Sequence, residues 1–252
     1  MMTTRGQETV TEAIILAGGK GTRLKDAVSD RPKPLAVVAG KAFIEWLLLL
    51  LRKEGIRRVV LSVGHMGEMI QSQLGTDTRF GLELAYVHDP FPLGTGGALR
   101  NALPAIHSSP LLVLNGDSYC RVRMDALTGF HFGHESSATL LVAGVSDASR
   151  FGTVEIGESG TVKAFHEKAP LAHPGLINAG VYLLNRDIVE TISTTESVSL
   201  ERQVFPGLIG RGLHAMEAEG PFWDIGTIES YTMANSILAG EFASLREVEK
   251  AL

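Results

Sequence analysis

A glycine-rich segment that follows the first apolar stretch of the chain has the composition of an anion-binding loop. Glycines at such a place let backbone N–H groups approach a phosphate chain closely. Two cations that follow in the sequence, Arg23 and Lys33, are suited to neutralising phosphate oxygens. We therefore interpret the segment as a loop for a nucleoside triphosphate. Its candidate nucleotide-binding residues are Leu16, Ala17, Gly18, Gly19, Gly21 and Thr22.

Two better-known phosphate loops do not fit this segment. A P-loop has Ser or Thr after its lysine, whereas Lys20 is followed by Gly21. The dinucleotide fingerprint needs Gly or Ala where Leu24 stands. It also needs an acidic residue about 20 positions further on, where the chain has Gly40 and Lys41. A glycine-rich turn without a ligand is the remaining alternative.

The first half of the chain alternates between short apolar segments and helical segments. Continuous apolar strands that alternate with helices are typical of a parallel sheet covered on both faces, and ligands bind at the carboxyl ends of such strands. We therefore predict an α/β fold, a Rossmann-like, mostly parallel sheet with helices on both faces. The predicted strands cover residues 13–16, 56–63, 82–87 and 111–114, and the predicted helices cover 42–54, 67–74 and 96–103.

The second half is richer in predicted β-structure. It contains strands over 138–145 and 178–184, a hairpin of 152–156 with 161–165 that turns at 158–160, and helices near 200–209 and 228–238. No linker or internal repeat separates the two halves. We predict one domain over residues 1–252, with a nucleotide-binding half at about 11–145 and a smaller, β-rich substrate-binding half at about 146–252.

The composition excludes several classes of protein. Of the 252 residues, 44% are hydrophobic and 20% charged, which suits a folded enzyme with a large core. A net charge of −5 argues against a general nucleic-acid or anionic-membrane binder. Cys120 is the only cysteine, so an intrachain disulfide is impossible. The polar start of the chain and the short apolar run 43–51 predict neither a secretory signal nor a membrane span, so we expect a soluble, cytoplasmic enzyme.

A series of short motifs, in order along the chain, resembles the sugar-1-phosphate nucleotidylyltransferases. The motifs are L-A-G-G-K-G-T-R-L (16–24), R-P-K-P-L (31–35), P-L-G-T-G-G-A (92–98), N-G-D (115–117), F-G-T-V (151–154), F-H-E-K (165–168), N-A-G-V-Y (178–182) and W-D-I-G-T (223–227). Within this family the chain looks most like the D-glycero-D-manno-heptose 1-phosphate guanylyltransferases. The resemblance implies the nucleotide-diphospho-sugar transferase fold. It also implies a reaction in which a sugar-phosphate oxygen attacks the α-phosphorus of a nucleoside triphosphate and pyrophosphate leaves.

The resemblance assigns the charged residues of these motifs. It places Arg23 and Lys33 on the triphosphate as the catalytic cations, and it makes Asp117 and Asp224 the ligands of Mg²⁺. Mg²⁺ prefers carboxylates and keeps several waters, so two aspartates together with phosphate oxygens suffice. A turn aspartate and a helix cap ahead of Ile228 are the structural alternatives for the two acids.

The resemblance also implies a sugar-phosphate site. Lys168 contacts the phosphate and Glu167 contacts sugar hydroxyls, while Gly116, Gly152 and Asn178 supply further contacts. A surface Glu-Lys dipeptide is the alternative for the first two. None of the eight histidines receives a role.

Asp89 bears on the choice of base. The resemblance places an acid or a glutamine there against the base edge, with the Gly94 amide on the other side and Thr95 in the same nucleotide-binding stretch. An ionised carboxylate only accepts hydrogen bonds. Guanine offers two adjacent donors, whereas uracil and thymine offer one donor between two carbonyls. We therefore expect GTP to be the nucleotide, with a proline-turn cap as the alternative role of Asp89.

Several functions compete with a heptose guanylyltransferase. The same reaction with mannose 1-phosphate is one alternative, and transfer of uridylyl or thymidylyl groups to glucose 1-phosphate is another that Asp89 disfavours. A non-catalytic nucleotide-sugar sensor is expected to lack one of the assigned cations or aspartates, and all are present. We expect GTP and a sugar 1-phosphate as partners, no nucleic acid or membrane, and, from the resemblance, a homodimer or homotetramer.

Overall fold

The structure is a computed structural model that describes residues 10–19, 28, 30–76, 78–166 and 172–252. Five of the predicted site residues, Gly21, Thr22, Arg23, Glu167 and Lys168, lie outside the described residues. Their assigned roles stay predictions.

Short apolar segments of the first half form strands because β-branched side chains pack well on a pleated surface that is buried on both faces. Every strand and helix predicted for this half is present, with ends shifted by a few residues. The elements of this half are β1 (Glu12–Ala17), β2 (Val37–Val38), β3 (Lys41–Ala42), α1 (Phe43–Lys53), β4 (Arg58–Val63), α2 (Gly67–Leu74), β5 (Glu83–His88), α3 (Gly94–Ala102), β6 (Leu111–Asn115), β7 (Ser118–Cys120) and α4 (Met124–Gly133).

The second half contains the predicted hairpin and also elements that the pattern did not indicate. The helix predicted near 200–209 begins as a π-helical turn, Leu200–Val204, that continues into a short α-helix. The elements of this half are β8 (Ala138–Val145), β9 (Thr153–Ile156), β10 (Val162–His166), β11 (Gly175–Leu184), α5 (Arg186–Glu190), α6 (Phe205–Leu208), β12 (Leu213–Glu217), β13 (Phe222–Asp224), α7 (Ile228–Glu241) and α8 (Ala243–Lys250).

Within the described residues, the main sheet has nine strands in the order β10-β9-β11-β6-β1-β4-β5, and β8 pairs with both β11 and β12. The four strands β6, β1, β4 and β5 are parallel. β11 runs antiparallel to β6, β8 and β9 and so joins the second half to this parallel unit. The predicted α/β fold with a mostly parallel sheet is confirmed, and antiparallel strands extend it in the second half.

The core lies on both faces of the sheet. Successive side chains of a strand point to opposite faces. Accordingly, Ile14 and Ile15 belong to two different buried clusters, as do Val60 and Leu61. Residues 43–51 of α1 are all buried, including Glu45, which interrupts their otherwise apolar composition. No helix in the described ranges is both long and apolar enough to cross a membrane.

The last two helices pack back onto α1 through an aromatic cluster. Phe242, at the junction of α7 and α8, stacks on Trp46 with ring centroids 4.2 Å apart and meets the Tyr119 ring edge-on at 5.1 Å. The indole Nε1 of Trp46 donates to the Val38 carbonyl at 2.8 Å. The cluster therefore connects the end of the described chain to the core of the first half.

Replacing Phe242 with alanine should lower the free energy of unfolding by about 3–5 kcal/mol, because the side chain is fully buried and its removal leaves a cavity. The control is Phe132→Ala, at a phenylalanine that is 42% exposed, which should change the stability by about 0.5 kcal/mol or less. Urea denaturation followed by circular dichroism measures both. Equal losses in the two variants would contradict this account of the core.

Candidate active site

A cavity of about 730 Å³ lies at the carboxyl ends of the parallel strands, a volume suited to a nucleotide-sized ligand. β1, β4, β5 and β6 all end at this edge of the sheet, so the loops after them form the cavity wall. The predicted site residues that line it are Leu16, Ala17, Gly18, Gly19, Lys33, Asp89, Gly94, Thr95, Gly116 and Asp117. The sheet therefore brings together most of the predicted nucleotide site.

The glycines of the cavity wall allow the backbones of neighbouring loops to touch. A Cβ on Gly18 would lie 2.9 Å from Asp89 Oδ2, and a Cβ on Gly64 would lie 2.8 Å from the Gly18 carbonyl oxygen. Gly116 donates its N–H to the Leu16 carbonyl at 2.9 Å, and a Cβ there would lie 2.9 Å from the same oxygen. Side chains at these positions would push the loops apart and change the shape of the cavity.

Lys33 and Asp117 form an ion pair in the cavity wall. Lys33 Nζ donates to Asp117 Oδ2 at 2.6 Å. The lysine side chain is only 10% exposed, whereas that of Asp117 is 45% exposed. A buried ammonium group requires an anionic partner, and a phosphate oxygen is an alternative partner of the same charge. The predicted triphosphate cation and the predicted metal ligand are therefore in direct contact.

Asp224 reaches the same region through a small antiparallel sheet. β13 pairs with β7 so that Asp224 lies opposite Ser118, and Ile225 N–H donates to the Asp117 carbonyl at 3.1 Å. Asp224 Oδ1 accepts the N–H of Gly226, a residue of the cavity wall, at 2.6 Å. The two aspartates, far apart in sequence, thus lie on neighbouring chain segments.

This donor set fits Mg²⁺ better than a transition metal. The described residues contain no group of three or more histidines, cysteines and carboxylates placed to hold a metal ion. Two carboxylates beside a phosphate-sized space nevertheless suit Mg²⁺, which completes its six ligands with phosphate oxygens and water. The residues present are therefore compatible with the predicted magnesium ion.

Sequence reasoning missed Arg150. Its Nη2 donates to Asp224 Oδ2 at 3.0 Å, and its Nη1 donates to Thr227 Oγ1 at 2.8 Å. Both Arg150 and Asp224 line a second cavity of about 300 Å³. Each candidate metal ligand therefore has one cation as its partner. Arg150 directly precedes the F-G-T-V motif, and this position in the sequence could have indicated it as a site residue.

Asp89 is held in one orientation at the wall of the large cavity. Asn101 Nδ2 donates to its Oδ1 at 3.1 Å, and Ser62 Oγ donates to the same oxygen at 3.4 Å. Burial raises the pKa of Asp89 above the usual aspartate value, although these two hydrogen bonds act in the opposite direction. The carboxylate is thus partly desolvated, as a group that reads a base by hydrogen bonds should be.

The start of α3 packs on the segment before the π-helical turn. Gly94 has a φ of +73°, and a Cβ there would lie 2.5 Å from the Val198 carbonyl oxygen. Gly96 N–H donates to that carbonyl at 2.8 Å. Thr95 lines the cavity and donates its hydroxyl to Glu201 Oε2 at 2.7 Å.

Two predicted sugar-phosphate residues, Gly152 and Asn178, are not among the residues that line the large cavity. Gly152 directly precedes β9, and Asn178 lies on β11 next to the position where Ile177 pairs with Thr153. Asn178 Nδ2 donates to the hydroxyl of the buried Tyr182 at 2.9 Å. The pairing of β9 with β11 therefore places Gly152 and Asn178 at neighbouring positions of the sheet.

Other cavity residues were also missed. Most of them lie in the same segments as the predicted residues, whereas Gly64 and His65 lie in the loop after β4, where no site residue was predicted. These residues are Pro34, Gly64, His65, Pro90, Phe91, Pro92, Leu93, Asn115 and Gly226.

Comparison with known proteins decides the family. The family model of the nucleotidyl transferases matches residues 12–241. The chain belongs to the nucleotidyl transferase family. This result confirms the resemblance found in the motifs, and it places the Lys33–Asp117 pair and the glycine-rich loop within the matched region.

Relatives of this nucleotidyl transferase differ in length. The chain is 36% identical over 220 residues to a D-glycero-alpha-D-manno-heptose 1-phosphate guanylyltransferase of Campylobacter jejuni, a match that covers 87% of this chain and 96% of the relative. It is 33% identical over 230 residues to a mannose-1-phosphate guanylyltransferase of Mycobacterium tuberculosis, and this match covers 90% of the chain but only 64% of the relative. The chain thus spans under two thirds of the length of the mannose-1-phosphate relative.

A solved structure shares the fold. HddC from Yersinia pseudotuberculosis, crystallised in complex with GMP-PN, has a TM-score of 0.79 and 30% sequence identity to this nucleotidyl transferase. The match covers 90% of this chain and 98% of that chain. The architecture of sheet and helices is therefore that of the family.

Replacing Gly116 with alanine should lower the free energy of unfolding by about 1–3 kcal/mol, because the new Cβ meets the Leu16 carbonyl oxygen. Gly129→Ala is the matched control, since no described atom lies within 4 Å of a Cβ there and the residue is inside α4. That variant should be neutral or more stable by about 0.5–1 kcal/mol. Urea denaturation of both proteins tests the close approach of the loops, and equal stabilities would contradict it.

Proposed function

We propose that the protein is a Mg²⁺-dependent nucleotidyltransferase that joins GTP to a sugar 1-phosphate, with D-glycero-α-D-manno-heptose 1-phosphate as its substrate. The products are a GDP-sugar and pyrophosphate. The observation that carries this proposal is the pairing of Lys33 with Asp117, next to Asp224, at the glycine-lined edge of the sheet. The reaction consumes GTP and supplies a sugar donor for glycan assembly, so we place the protein in the cytoplasm.

The reaction requires that two anions meet. An oxygen of the sugar phosphate forms a bond to the α-phosphorus, the bond from that phosphorus to the bridging oxygen breaks, and pyrophosphate leaves with the electron pair. No protein nucleophile is needed, so the protein contributes positioning and positive charge. Lys33 supplies a point charge at the cavity wall, and the predicted cation Arg23 supplies a second one. Backbone N–H groups near Gly18 and Gly19 suit the phosphate chain.

Asp117 and Asp224 are the residues that would hold Mg²⁺. The chemistry that Mg²⁺ would supply there is positive charge that stabilises the phosphate oxygens of the substrates. Arg150 pairs with Asp224 and places a positive charge beside that carboxylate.

GTP is the proposed nucleotide because of Asp89. Its carboxylate lines the cavity in a fixed orientation and accepts hydrogen bonds only. The N1–H and the 2-amino group of guanine are two adjacent donors that match it. Relatives named guanylyltransferases support the same choice.

Relatives named for the heptose substrate support that choice of sugar. The chain is 36% and 34% identical to the heptose 1-phosphate guanylyltransferases of Campylobacter jejuni and Aneurinibacillus thermoaerophilus, and its motifs resemble that group most. It is 33% and 36% identical to the mannose-1-phosphate guanylyltransferases of Mycobacterium tuberculosis and Drosophila melanogaster. Mannose 1-phosphate remains the second candidate, since the identities of the two groups are similar.

Pyrophosphate release should be fastest with GTP. The assay combines GTP, UTP, dTTP or CTP with heptose, mannose or glucose 1-phosphate in the presence of Mg²⁺. We expect kcat/KM for GTP to exceed that of the pyrimidine nucleotides by at least about tenfold, because the carboxylate of Asp89 is left unpaired by the wrong base. A pyrimidine nucleotide preferred tenfold over GTP would reject the proposal.

The variant Asp89→Asn isolates the role of the carboxylate within the same assay. It keeps the size of the side chain but introduces a donor, so kcat/KM for GTP should fall by about tenfold to a hundredfold. Because the pKa of Asp89 is raised, GTP binding by the unmodified protein should weaken on acidification at a pH above the usual aspartate range. The asparagine variant should lack that pH dependence.

Asp117→Asn and Asp224→Asn should each reduce turnover by more than about a hundredfold while the protein stays folded, because each removes an anionic metal ligand. Binding of Mn²⁺, followed by electron paramagnetic resonance, should weaken in parallel. Asp125→Asn, at an exposed aspartate on α4 that pairs with Arg123, is the control and should change neither quantity. Substantial activity in either site variant would refute the metal assignment.

A further inference from the structure

Glu201 accepts three hydrogen bonds from hydroxyl groups. Its Oε2 accepts from Thr95 Oγ1 at 2.7 Å and from Ser199 Oγ at 2.8 Å, and its Oε1 accepts from Tyr182 Oη at 3.1 Å. No lysine, arginine or histidine of the described residues forms an ion pair with it. The carboxylate is therefore satisfied by neutral donors, an arrangement that fixes the direction in which each hydroxyl points.

Tyr182 connects the Glu201 carboxylate to the side chains of two asparagines. Its side chain is fully buried, and burial together with the nearby Glu201 charge raises its pKa well above the usual tyrosine value, so the hydroxyl keeps its proton. The hydroxyl donates to Glu201 and accepts from Asn178 Nδ2 at 2.9 Å and from Asn115 Nδ2 at 3.4 Å. The Asn178 oxygen accepts the N–H of Gly180 at 2.9 Å, so its amide orientation is determined.

The residues at the ends of this network belong to different parts of the site. Thr95 and Asn115 line the large cavity. Asn178 lies on β11 next to the position where that strand pairs with β9. Glu201 is not among the residues of the cavity wall. It therefore acts on a bound ligand only through the residues that it orients.

We infer that Glu201 is a positioning residue that couples the nucleotide-binding residue Thr95, at the start of α3, to the sugar-binding residue Asn178 on β11 through Tyr182. The inference rests on the proposed function, in which these two residues serve the nucleotide and the sugar phosphate. A glutamine at position 201 would present its NH₂ group either to Thr95 and Ser199 or to Tyr182. Those hydroxyls already donate, so one branch of the network must break or reverse.

Isothermal titration calorimetry of three variants tests the coupling. The probes are a GTP analogue with a methylene group between the α- and β-phosphates, which cannot react, and D-glycero-α-D-manno-heptose 1-phosphate, with mannose 1-phosphate as a second sugar probe. Glu201→Gln should lower the affinity for both kinds of ligand by about tenfold. Tyr182→Phe keeps the Glu201–Thr95 contact. It should therefore lower the affinity for the sugar phosphate by about tenfold and change the affinity for the nucleotide by no more than about twofold. Glu196→Gln, at an exposed glutamate of the preceding segment, is the matched control and should change neither affinity.

Thermal melting of each variant separates positioning from folding, because a purely structural role lowers the Tm without changing the affinity of the folded protein. The inference is overturned if folded Glu201→Gln binds both ligands like the unmodified protein, or loses affinity for only one. If that variant does not fold, Tyr182→Phe decides, and an unchanged affinity for the sugar phosphates overturns the inference. If the unmodified protein binds neither ligand, the proposed function and the inference fail together. If the unmodified protein binds and converts both ligands and the variants bind them equally well, the inference is rejected while the proposed function stands.

Discussion

Backbone contact between the loops at the carboxyl ends of the parallel strands determines the shape of the site. The loop after β1 touches the loop after β4 at Gly18 and Gly64, and Gly116 donates to the Leu16 carbonyl. Side chains at these places would separate the loops, because an added Cβ would lie under 3 Å from a backbone or carboxylate oxygen. Gly18 of the glycine-rich loop therefore allows this close approach, and the phosphate contact that we propose for the same loop would also use the absence of a side chain.

At this edge of the sheet, each of the two candidate metal ligands forms an ion pair with a basic residue. Lys33 pairs with Asp117, and Arg150 pairs with Asp224. Pairs of this kind add little to folding stability, because removing the charges from water costs about as much as their attraction returns. In the proposed reaction these cations would offset the repulsion between the two aspartates and the phosphates of the substrates. Because each acid lies beside a cation, these four residues together carry no large net negative charge.

The strand β11 connects the second half of the chain to the large cavity. This strand pairs with β6, which ends at the cavity, and with β9, next to Gly152. Asn178 and Tyr182 lie on β11 and form hydrogen bonds toward Asn115 and Glu201. The second half of the chain is therefore built on the same sheet as the first half.

Local patterns in the sequence predicted much of this structure. The apolar segments of the first half form β1, β4, β5 and β6, the apolar run 43–51 is buried, and the hairpin turns at 158–160. The glycine loop, Lys33, Asp89 and Asp117 converge on one cavity because parallel strands end at the same edge. Gly21, Thr22, Arg23, Glu167 and Lys168 stay predictions from the motifs.

Only the tertiary structure decided which distant residues meet. The pairing of β13 with β7 brings Asp224 next to Asp117, and neither three-residue strand has a recognisable period of its own. Arg150 and Glu201 resemble ordinary surface residues in the sequence, yet one pairs with Asp224 and the other accepts three hydroxyl hydrogen bonds. Periodicity and turn residues act over a few positions, whereas these contacts depend on the order in which the strands assemble into the sheet.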